Sequence, residues 1–269
     1  MQLSIDYQEL LLAVRNTREI ILNKERQKQI KTKGVGDFVT QVDLAVQTYL
    51  KDFLEERYPE IQFMGEEKDN GDVDREKPMW LLDPIDGTSN LIFGLQHSGV
   101  SLGLYDGEQI CFGTIYDPFK DELFHAVRGK GSFLNGEPIH VHDADGLKDC
   151  LFYYGTNPYV RKSKQSFMKL IGEITSRCVD IRRMGSAALD LAHVACGRGG
   201  GYIEQDLKPW DIAAGIILVE EAGGMITDFR GNRIDPTGKS DTLCGTPAVH
   251  REMLEMLKGY DLVRTILFG

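Results

Sequence analysis

Two aspartates three residues apart lie in a stretch that could bind metal ions. In residues 80–94 the bulky apolar residues of a short buried strand are followed directly by Asp83 and Asp86. Carboxylate oxygens are the ligands that Mg²⁺ prefers, and a stiff turn that carries two of them could hold a cation. An isolated pair of this spacing more often only caps a turn. The pair alone therefore leaves capping and metal binding open.

The residues around these aspartates predict an anion site beside them. Pro84 fixes its own φ and has no N–H group, so we expect the strand to end there. Gly87 permits close approach of the backbone, and Thr88 and Ser89 are good N-cap residues for a following helix. The N–H groups at a helix N-terminus attract anions. This stretch therefore predicts that cations and a phosphate are held together.

Three further carboxylates occupy comparable positions at a helix start or a strand end. Asp43 lies in the first turn of a predicted helix, Glu66 follows a predicted short strand, and Asp211 begins a strongly apolar helix. Taken alone, they are a helix-dipole carboxylate, a solvated loop residue and a helix cap. Together with the central aspartate pair, they could form a carboxylate cage assembled from distant parts of the chain.

Hydrophobic periodicity predicts a mixed α/β (α+β) fold that carries these positions. In the first half we expect helices at 7–29 and about 42–58 and strands at 61–64, 99–105, 110–116, 122–127 and 131–141. In the second half we expect strands at 152–155, 179–183, 201–204 and 225–228 and helices at 162–176, 186–196, 210–222 and 247–258. The prediction is a single domain over residues 1–269, with an α+β lobe at about 1–145 and an α/β lobe at 146–269.

Bulk properties exclude several classes of function. The 269 residues carry a formal net charge of −10, which argues against broad nucleic-acid binding. An anionic substrate would need metal ions or local cations to overcome this charge. No apolar run reaches the roughly 18 residues of a membrane span, and the first residues do not resemble a signal peptide. The five scattered cysteines suit a reducing compartment, so we expect a cytoplasmic protein.

The motifs around the carboxylates resemble those of the inositol monophosphatase family, and closely those of its bacterial branch. They are GEE at 65–67, WLLDPIDGTSN at 80–90, RRMGSAALDLAHVACGR at 182–198 and PWDIAAGIILVEEAGG at 209–224. Their order and spacing extend through almost the whole chain. Leu91 departs from the pattern, because many relatives carry an aromatic residue there. The apolar tail at 261–269 has no counterpart that we can match.

This resemblance implies a fold and a metal site. The fold would be a layered αβαβα sandwich of the inositol monophosphatase and fructose-bisphosphatase type, and the activity a Mg²⁺-dependent phosphomonoesterase. Glu66, Asp83 and the backbone carbonyl of Ile85 would hold the first Mg²⁺. Asp83, Asp86 and Asp211 would hold the second. A third and weaker ion would lie near Glu66, giving two to three ions in each active site.

The resemblance also assigns roles in catalysis to Asp43, Glu66 and Thr88. Thr88, hydrogen-bonded to Asp43, would orient a metal-activated water and take its proton, with Asp43 as the base at the end of the relay. Backbone N–H groups of Gly87, Thr88 and Ser89 would bind the phosphate oxygens. No aspartate lies in a nucleophile motif, so we expect no covalent phosphoenzyme.

The substrate is less sharply defined by the resemblance. Glu204 matches a position that accepts a sugar-alcohol hydroxyl, and Asp86 could do the same. Arg182 matches a position near the substrate in bacterial relatives, but it could equally be a structural or interface arginine. Inositol 1-phosphate and similar small phosphate monoesters are favoured. Fructose bisphosphate, NADP, histidinol phosphate and 3′-phosphoadenosine 5′-phosphate stay open.

Family resemblance implies further properties of the whole protein. We expect a homodimer and inhibition by Li⁺. Some bacterial relatives bind the transcription machinery and modulate antitermination apart from catalysis, so a binding role is the alternative hypothesis. The acidic charge gives that alternative little support.

Overall fold

The computed structural model describes residues 4–34, 37–156, 164–260 and 262, which contain eight α-helices and fourteen β-strands. The helices are α1 Tyr7–Ile21, α2 Lys24–Gln27, α3 Gln41–Arg57, α4 Thr88–Ile92, α5 Lys164–Thr175, α6 Ala187–Ala195, α7 Pro209–Glu221 and α8 Pro247–Leu257. The first nine strands are β1 Ile30–Gly34, β2 Asp37–Thr40, β3 Gln62–Gly65, β4 Met79–Asp86, β5 Gly99–Tyr105, β6 Ile110–Asp117, β7 Glu122–Val127, β8 Gly131–Leu134 and β9 Glu137–Ile139. The other five are β10 Leu151–Tyr154, β11 Asp180–Arg182, β12 Gly201–Leu207, β13 Met225–Thr227 and β14 Ser240–Gly245.

Two large sheets divide the strands between them. The seven-stranded sheet has the order β3-β4-β5-β6-β7-β8-β9, and every pair after the parallel β3–β4 pair is antiparallel. The five-stranded sheet has the order β11-β10-β12-β14-β13, in which the first three strands are parallel. Strands β1 and β2 form a separate hairpin before α3. The proposed lobe boundary near residue 145 falls between the two large sheets.

The side chains of β4 show how the layers stack. Successive side chains of a strand point to opposite faces of its sheet. Trp80 and Leu82 accordingly pack in a core with α1 and α3, whereas Met79 and Leu81 pack in a second core with α6 and α7. The second core also contains residues of the five-stranded sheet, whose other face packs against α5 and α8. This arrangement confirms the predicted αβαβα layering.

Most predicted elements are present, with corrections at some boundaries. The helix predicted at 7–29 ends at Ile21, because Asn23 caps a new helix by accepting hydrogen bonds from two backbone N–H groups. The β1–β2 hairpin and β14 were not predicted. The strand predicted to reach Val141 ends at Ile139. The apolar tail lies outside the described residues except for Leu262, which is buried.

No helix in the described part of the chain is long and apolar enough to cross a membrane. Helix α7 comes nearest in apolar character, but it spans 13 residues and is buried between the sheets. Its hydrophobicity therefore reflects its place in the core, since a helix that is apolar on all sides is buried.

A pair of facing glycines lets α7 pack closely on the seven-stranded sheet. Gly103 and Gly113 are directly opposite on β5 and β6. A Cβ atom on Gly113 would lie 2.6 Å from Cγ2 of Ile217 and 2.8 Å from Cα of Ala214. The helix backbone can therefore approach the sheet only because these side chains are absent. This close approach also fixes where the N-terminus of α7 lies.

We predict that Gly113→Ala lowers the free energy of unfolding by about 1 to 3 kcal/mol, because the added methyl group overpacks this contact. The matched control is Gly172→Ala on the exposed side of α5, where an added Cβ meets nothing within 4 Å. That change should leave stability equal or raise it by up to about 1 kcal/mol, since alanine favours a helix. Urea unfolding of both variants measures this, and equal effects would contradict the close contact.

Candidate active site

The end of β4 presents two carboxylates through a bulge. Asp83 lies opposite Ser101 and Asp86 opposite Gly99, so β4 has one extra residue in this interval. The strand thus continues past Pro84 to Asp86, contrary to the prediction that it ends at the proline. A bulge bends a strand and re-aims its side chains. Both aspartates line the same cavity as a result.

Helix α4 begins at a position that favours glycine. Gly87 is the N-cap residue and has a φ of 91°, so the predicted capping by the following hydroxyl residues is wrong. A Cβ on Gly87 would also lie 3.1 Å from the carbonyl oxygen of Gly185. Thr88 is instead the first helical residue. Its Oγ1 lies 2.9 Å from Oδ1 of Asp43 and 3.1 Å from the carbonyl oxygen of Ile85.

Asp43 is fully buried at the N-terminus of α3. The backbone N–H of Thr40 donates to its Oδ2 at 2.9 Å, and the Thr40 hydroxyl donates to the same oxygen. Burial raises the pKa of Asp43, although the hydrogen bonds from Thr40 and Thr88 oppose the rise. The hydrogen bond to Thr88, 45 residues further along the chain, is the one that the family resemblance implies.

Asp86 is held at the N-terminus of α6. Its Oδ2 accepts hydrogen bonds from the Ser186 hydroxyl at 2.7 Å and from the Ala188 backbone N–H at 2.6 Å. Burial nevertheless raises the pKa of Asp86 to about 6. The motif at 182–198 therefore supplies the donors that orient one of the predicted metal ligands.

Asp211 enters the same region from the N-terminus of α7. Its Oδ2 accepts a hydrogen bond from the backbone N–H of Lys208 at 2.8 Å. Burial, followed by the charge of Asp86, raises the pKa of Asp211. Burial, followed by the charges of Glu66 and Asp86, likewise raises the pKa of Asp83. The carboxylates are thus close enough to repel one another.

These residues line a single cavity of about 730 Å³. The predicted site residues on its wall are Glu66, Asp83, Ile85, Asp86, Gly87, Thr88, Glu204 and Asp211. Asp43 reaches the cavity only through its hydrogen bond to Thr88. Ser89 is exposed and is not part of this wall. The structure therefore brings eight of the predicted residues together.

Arg182 ends β11 and Arg183 begins the loop that follows, and the two have different surroundings. Arg182 forms an ion pair with Asp180 and donates to the carbonyl oxygen of Ile181 at 2.7 Å. It does not line the cavity. Arg183 does line it and donates to the Thr156 hydroxyl at 3.2 Å. Among the described residues, the cavity is thus lined by Arg183, which the sequence interpretation did not select, and not by the predicted Arg182.

Glu204 lies on β12 and lines the same cavity as the aspartates. The Tyr202 hydroxyl donates to its Oε2. A Cβ on Gly155 would lie 1.7 Å from this oxygen, so the carboxylate packs against bare backbone. Burial raises the pKa of Glu204 to about 7.

Asp190 is a buried acid that the sequence interpretation did not select. It is 1 % exposed, and its Oδ1 has no hydrogen-bond partner among the described residues. Burial, followed by the charges of Asp86 and Glu204, raises the pKa of Asp190 well above its ordinary range. The available signal was an aspartate inside a helix whose other residues, apart from His193, are apolar. A buried acid needs a partner or a proton.

The carboxylate set fits a hard, oxygen-preferring cation in its chemistry. Among the described residues, no three His, Cys, Asp or Glu side chains are gathered closely enough to form a finished metal site. Burial, followed by the charges of neighbouring carboxylates, raises the pKa of Asp83 and of Asp211, and a bound cation would relieve this repulsion. A backbone carbonyl such as that of Ile85 adds a further oxygen of the kind Mg²⁺ accepts.

Comparison with known proteins assigns the family. A sequence model of the inositol monophosphatase family matches residues 5–260. The chain belongs to this family. It is 36 % identical to the Nus factor SuhB of Salmonella typhimurium strain LT2, with 93 % of this chain and 95 % of the relative covered. It is 34 % identical to the inositol-1-monophosphatase of Rhizobium meliloti strain 1021, with 86 % of each chain covered.

A solved relative has the same fold. The structure of an IMPase/NADP phosphatase complexed with Mg²⁺ and phosphate superposes with a TM-score of 0.85 at 26 % identity. The alignment covers 96 % of this chain and 98 % of that one. The layered architecture of the inositol monophosphatase fold therefore extends over nearly the whole molecule.

The raised pKa of Glu204 predicts a pH-dependent effect on stability. Its pKa is raised from 4.5 to about 7, so the folded state keeps this proton to a higher pH than the unfolded chain. The stabilisation is fully present below about pH 4.5 and is lost as the pH rises through about 7. In EDTA, Glu204→Gln should therefore gain about 1 to 3 kcal/mol relative to the wild type between pH 4.5 and 8.

Urea unfolding across this pH range measures the gain. The matched control is Glu137→Gln on β9, which removes an exposed carboxylate that does not line the cavity. This control should follow the wild type at every pH. A constant offset between Glu204→Gln and the wild type would show that Glu204 is not the titrating group.

Proposed function

We propose that this protein is a Mg²⁺-dependent phosphatase that hydrolyses small phosphate monoesters, with inositol 1-phosphate as the first candidate substrate. The observation that supports it most is the convergence of Asp83, Asp86 and Asp211 on one cavity beside the Thr88–Asp43 pair. This combination provides oxygen ligands and a proton relay at the same place. Uncatalysed hydrolysis of phosphate monoesters is among the slowest reactions known, so both are needed.

The metal ligands follow the family assignment. Glu66, Asp83 and the Ile85 carbonyl would hold one Mg²⁺, and Asp83, Asp86 and Asp211 another. When bound, Mg²⁺ supplies positive charge for the phosphate and lowers the pKa of a bound water. The solved relative that contains Mg²⁺ and phosphate supports the choice of metal. A third ion near Glu66 is part of the same proposal.

The Thr88 hydroxyl is suited to hold the attacking water. Its proton points to Oδ1 of Asp43 at 2.9 Å, which leaves an Oγ1 lone pair to accept a proton from water. The raised pKa of Asp43 makes this buried carboxylate a better proton acceptor than an exposed aspartate. In this proposal the water proton passes through Thr88 Oγ1 to Asp43.

Other groups of the chain bind the rest of the substrate. The backbone N–H groups of Gly87, Thr88 and Ser89 would bind phosphate oxygens, as in the family. Glu204 and Asp86 would accept hydrogen bonds from hydroxyl groups of the alcohol. Arg183 replaces Arg182 in our proposal as the arginine nearest the substrate, because it lines the cavity.

We predict Mg²⁺-dependent phosphate release that EDTA abolishes. The panel holds inositol 1-phosphate, 2′-AMP, fructose 1,6-bisphosphate, NADP and 3′-phosphoadenosine 5′-phosphate. Asp86→Asn should reduce kcat/KM by several orders of magnitude because it removes a metal ligand, whereas the exposed Asp145→Asn should leave kcat/KM unchanged. No release by a folded, Mg²⁺-loaded protein from any of these compounds would contradict the proposal.

The relay predicts different effects for two substitutions of Thr88. Thr88→Val keeps the shape but removes the hydroxyl, so kcat should fall by about 10²- to 10⁴-fold. Thr88→Ser keeps the hydroxyl and should retain most of the activity. Steady-state kinetics with inositol 1-phosphate and Mg²⁺ measure both variants. Equal losses in the two would show that the Thr88 hydroxyl does not carry the proton.

A binding role in transcription antitermination is the second candidate. Its support is the 36 % identity to the Nus factor SuhB of Salmonella typhimurium. A pull-down from lysate with and without Mg²⁺ distinguishes it, since recovery of RNA polymerase subunits would favour this role. Dimerisation and inhibition by Li⁺ stay predictions from the family resemblance, and a cytoplasmic location stays a prediction from the scattered cysteines.

A further inference from the structure

The short segment at the end of β3 is fixed by three different parts of the structure. Gly65, the last residue of β3, pairs with Leu82 of β4 in parallel register. The next backbone N–H, that of Glu66, donates to the Leu82 carbonyl oxygen at 3.1 Å. This contact places Glu66, which lines the cavity, beside the strand that carries Asp83. The direction of the Glu66 side chain then depends on what holds the residues on either side of it.

The residue after Glu66 is held by helix α3. The backbone N–H of Glu67 donates to Oε1 of Gln47 at 3.0 Å. Gln47 is 8 % exposed, so its side chain is largely shielded from water. A Cβ on Gly65 would lie 2.6 Å from the same Oε1 atom, so the amide packs against bare backbone. The Gln47 side chain therefore fits a space that a glycine leaves open.

The residue before Glu66 is held by Asn70. Strand β3 is at the edge of its sheet, where backbone groups need other partners. Asn70 Oδ1 accepts a hydrogen bond from the Gly65 N–H at 3.2 Å, and Asn70 Nδ2 donates to the Gly65 carbonyl oxygen at 2.8 Å. Glu66 therefore lies between two backbone positions that are each bound by an amide side chain.

Helix α3 connects this segment with the Thr88–Asp43 pair. Gln47 follows Asp43 by four residues, and side chains at this spacing lie on the same face of a helix. Both side chains are buried. One face of α3 thus holds Asp43 at Thr88 and, one turn later, binds the backbone of Glu67. A candidate metal ligand and the proposed proton relay share one support.

We propose that Gln47 and Asn70 are positioning residues for the metal site, which hold the backbone on both sides of Glu66 so that its carboxylate is directed into the cavity before a cation binds. This inference rests on the proposed phosphatase function and adds two residues that act through Glu66. Groups that orient metal ligands typically contribute a factor of about 10 to 100 in metal affinity. Both side chains are neutral amides, so they act through geometry and not through charge.

Gln47→Met tests the contact from α3. It nearly keeps the volume of the side chain but removes the acceptor oxygen, so the dissociation constant for Mg²⁺ should rise about tenfold or more. Gln47→Glu keeps an acceptor oxygen there and should stay within about threefold of the wild type. Titration calorimetry and the Mg²⁺-dependent rise in unfolding temperature measure this without substrate. The matched control is Gln8→Met on the exposed start of α1, which should not change the constant.

Kinetics separate positioning from a general loss of structure. At saturating Mg²⁺ the kcat of Gln47→Met should return to within about threefold of the wild type, because Asp43 and Thr88 are unchanged. A merely structural contact would instead lower the unfolding temperature equally with and without Mg²⁺. Asn70→Ala, at a partly exposed side chain, should raise the Mg²⁺ dissociation constant in the same way. It provides a second test that does not depend on the folding of Gln47→Met.

The outcomes distinguish this inference from the proposed function. An unchanged Mg²⁺ dissociation constant in either folded variant would overturn the inference for that residue and leave the phosphatase proposal intact. Equal losses in Gln47→Met and Gln47→Glu would also overturn it, because the acceptor oxygen would then not be responsible. A wild-type protein that neither binds Mg²⁺ nor releases phosphate would contradict the phosphatase proposal and the inference together.

Discussion

The mutual repulsion of buried carboxylates is the constraint on which the rest of this structure depends. Burial, followed by the charges of neighbouring carboxylates, raises the pKa of both Asp83 and Asp211. Such a cluster costs stability unless each acid is fixed by donors and the excess charge is compensated. The donors are the backbone N–H of Ile85 in β4 and, at the starts of helices, the backbone N–H groups of Ala188 and Lys208 and the Ser186 hydroxyl. The compensation is what a metal-dependent site would supply.

The five-layer architecture makes this arrangement possible. Helices α6 and α7 are enclosed by sheets on both sides, so their N-termini meet the bulged end of β4 inside the molecule. The facing glycines Gly103 and Gly113 bring α7 close to the sheet. On the other side of β4, α3 delivers Asp43 to Thr88. The candidate metal ligands and the proposed proton relay thus involve helices on opposite faces of one strand.

The cavity carries charges of both signs. Arg183, Lys208 and Lys239 line it together with the candidate metal ligands and the acidic Glu204 and Asp206. A protein with a net charge of −10 needs such local positive charge to admit an anionic substrate. The family motifs contain the candidate metal ligands Glu66, Asp83, Asp86 and Asp211. Arg183 lies in the motif at 182–198, Lys208 directly precedes the motif at 209–224, and Lys239 lies outside all of them.

The sequence by itself determined the identity of the metal-ligand candidates and most of the elements that carry them. Long motifs and periodic apolar residues can be recognised in the sequence alone, because strand ends and helix starts are local features. Only the tertiary structure decided which of two adjacent arginines reaches the cavity, that Asp190 is buried beside it, and that Gln47 of α3 meets the backbone of Glu67. Strand β14 was not predicted, for the same reason. Its pairing partners, rather than its own pattern, make it a strand, and contacts between distant segments cannot be read from either segment alone.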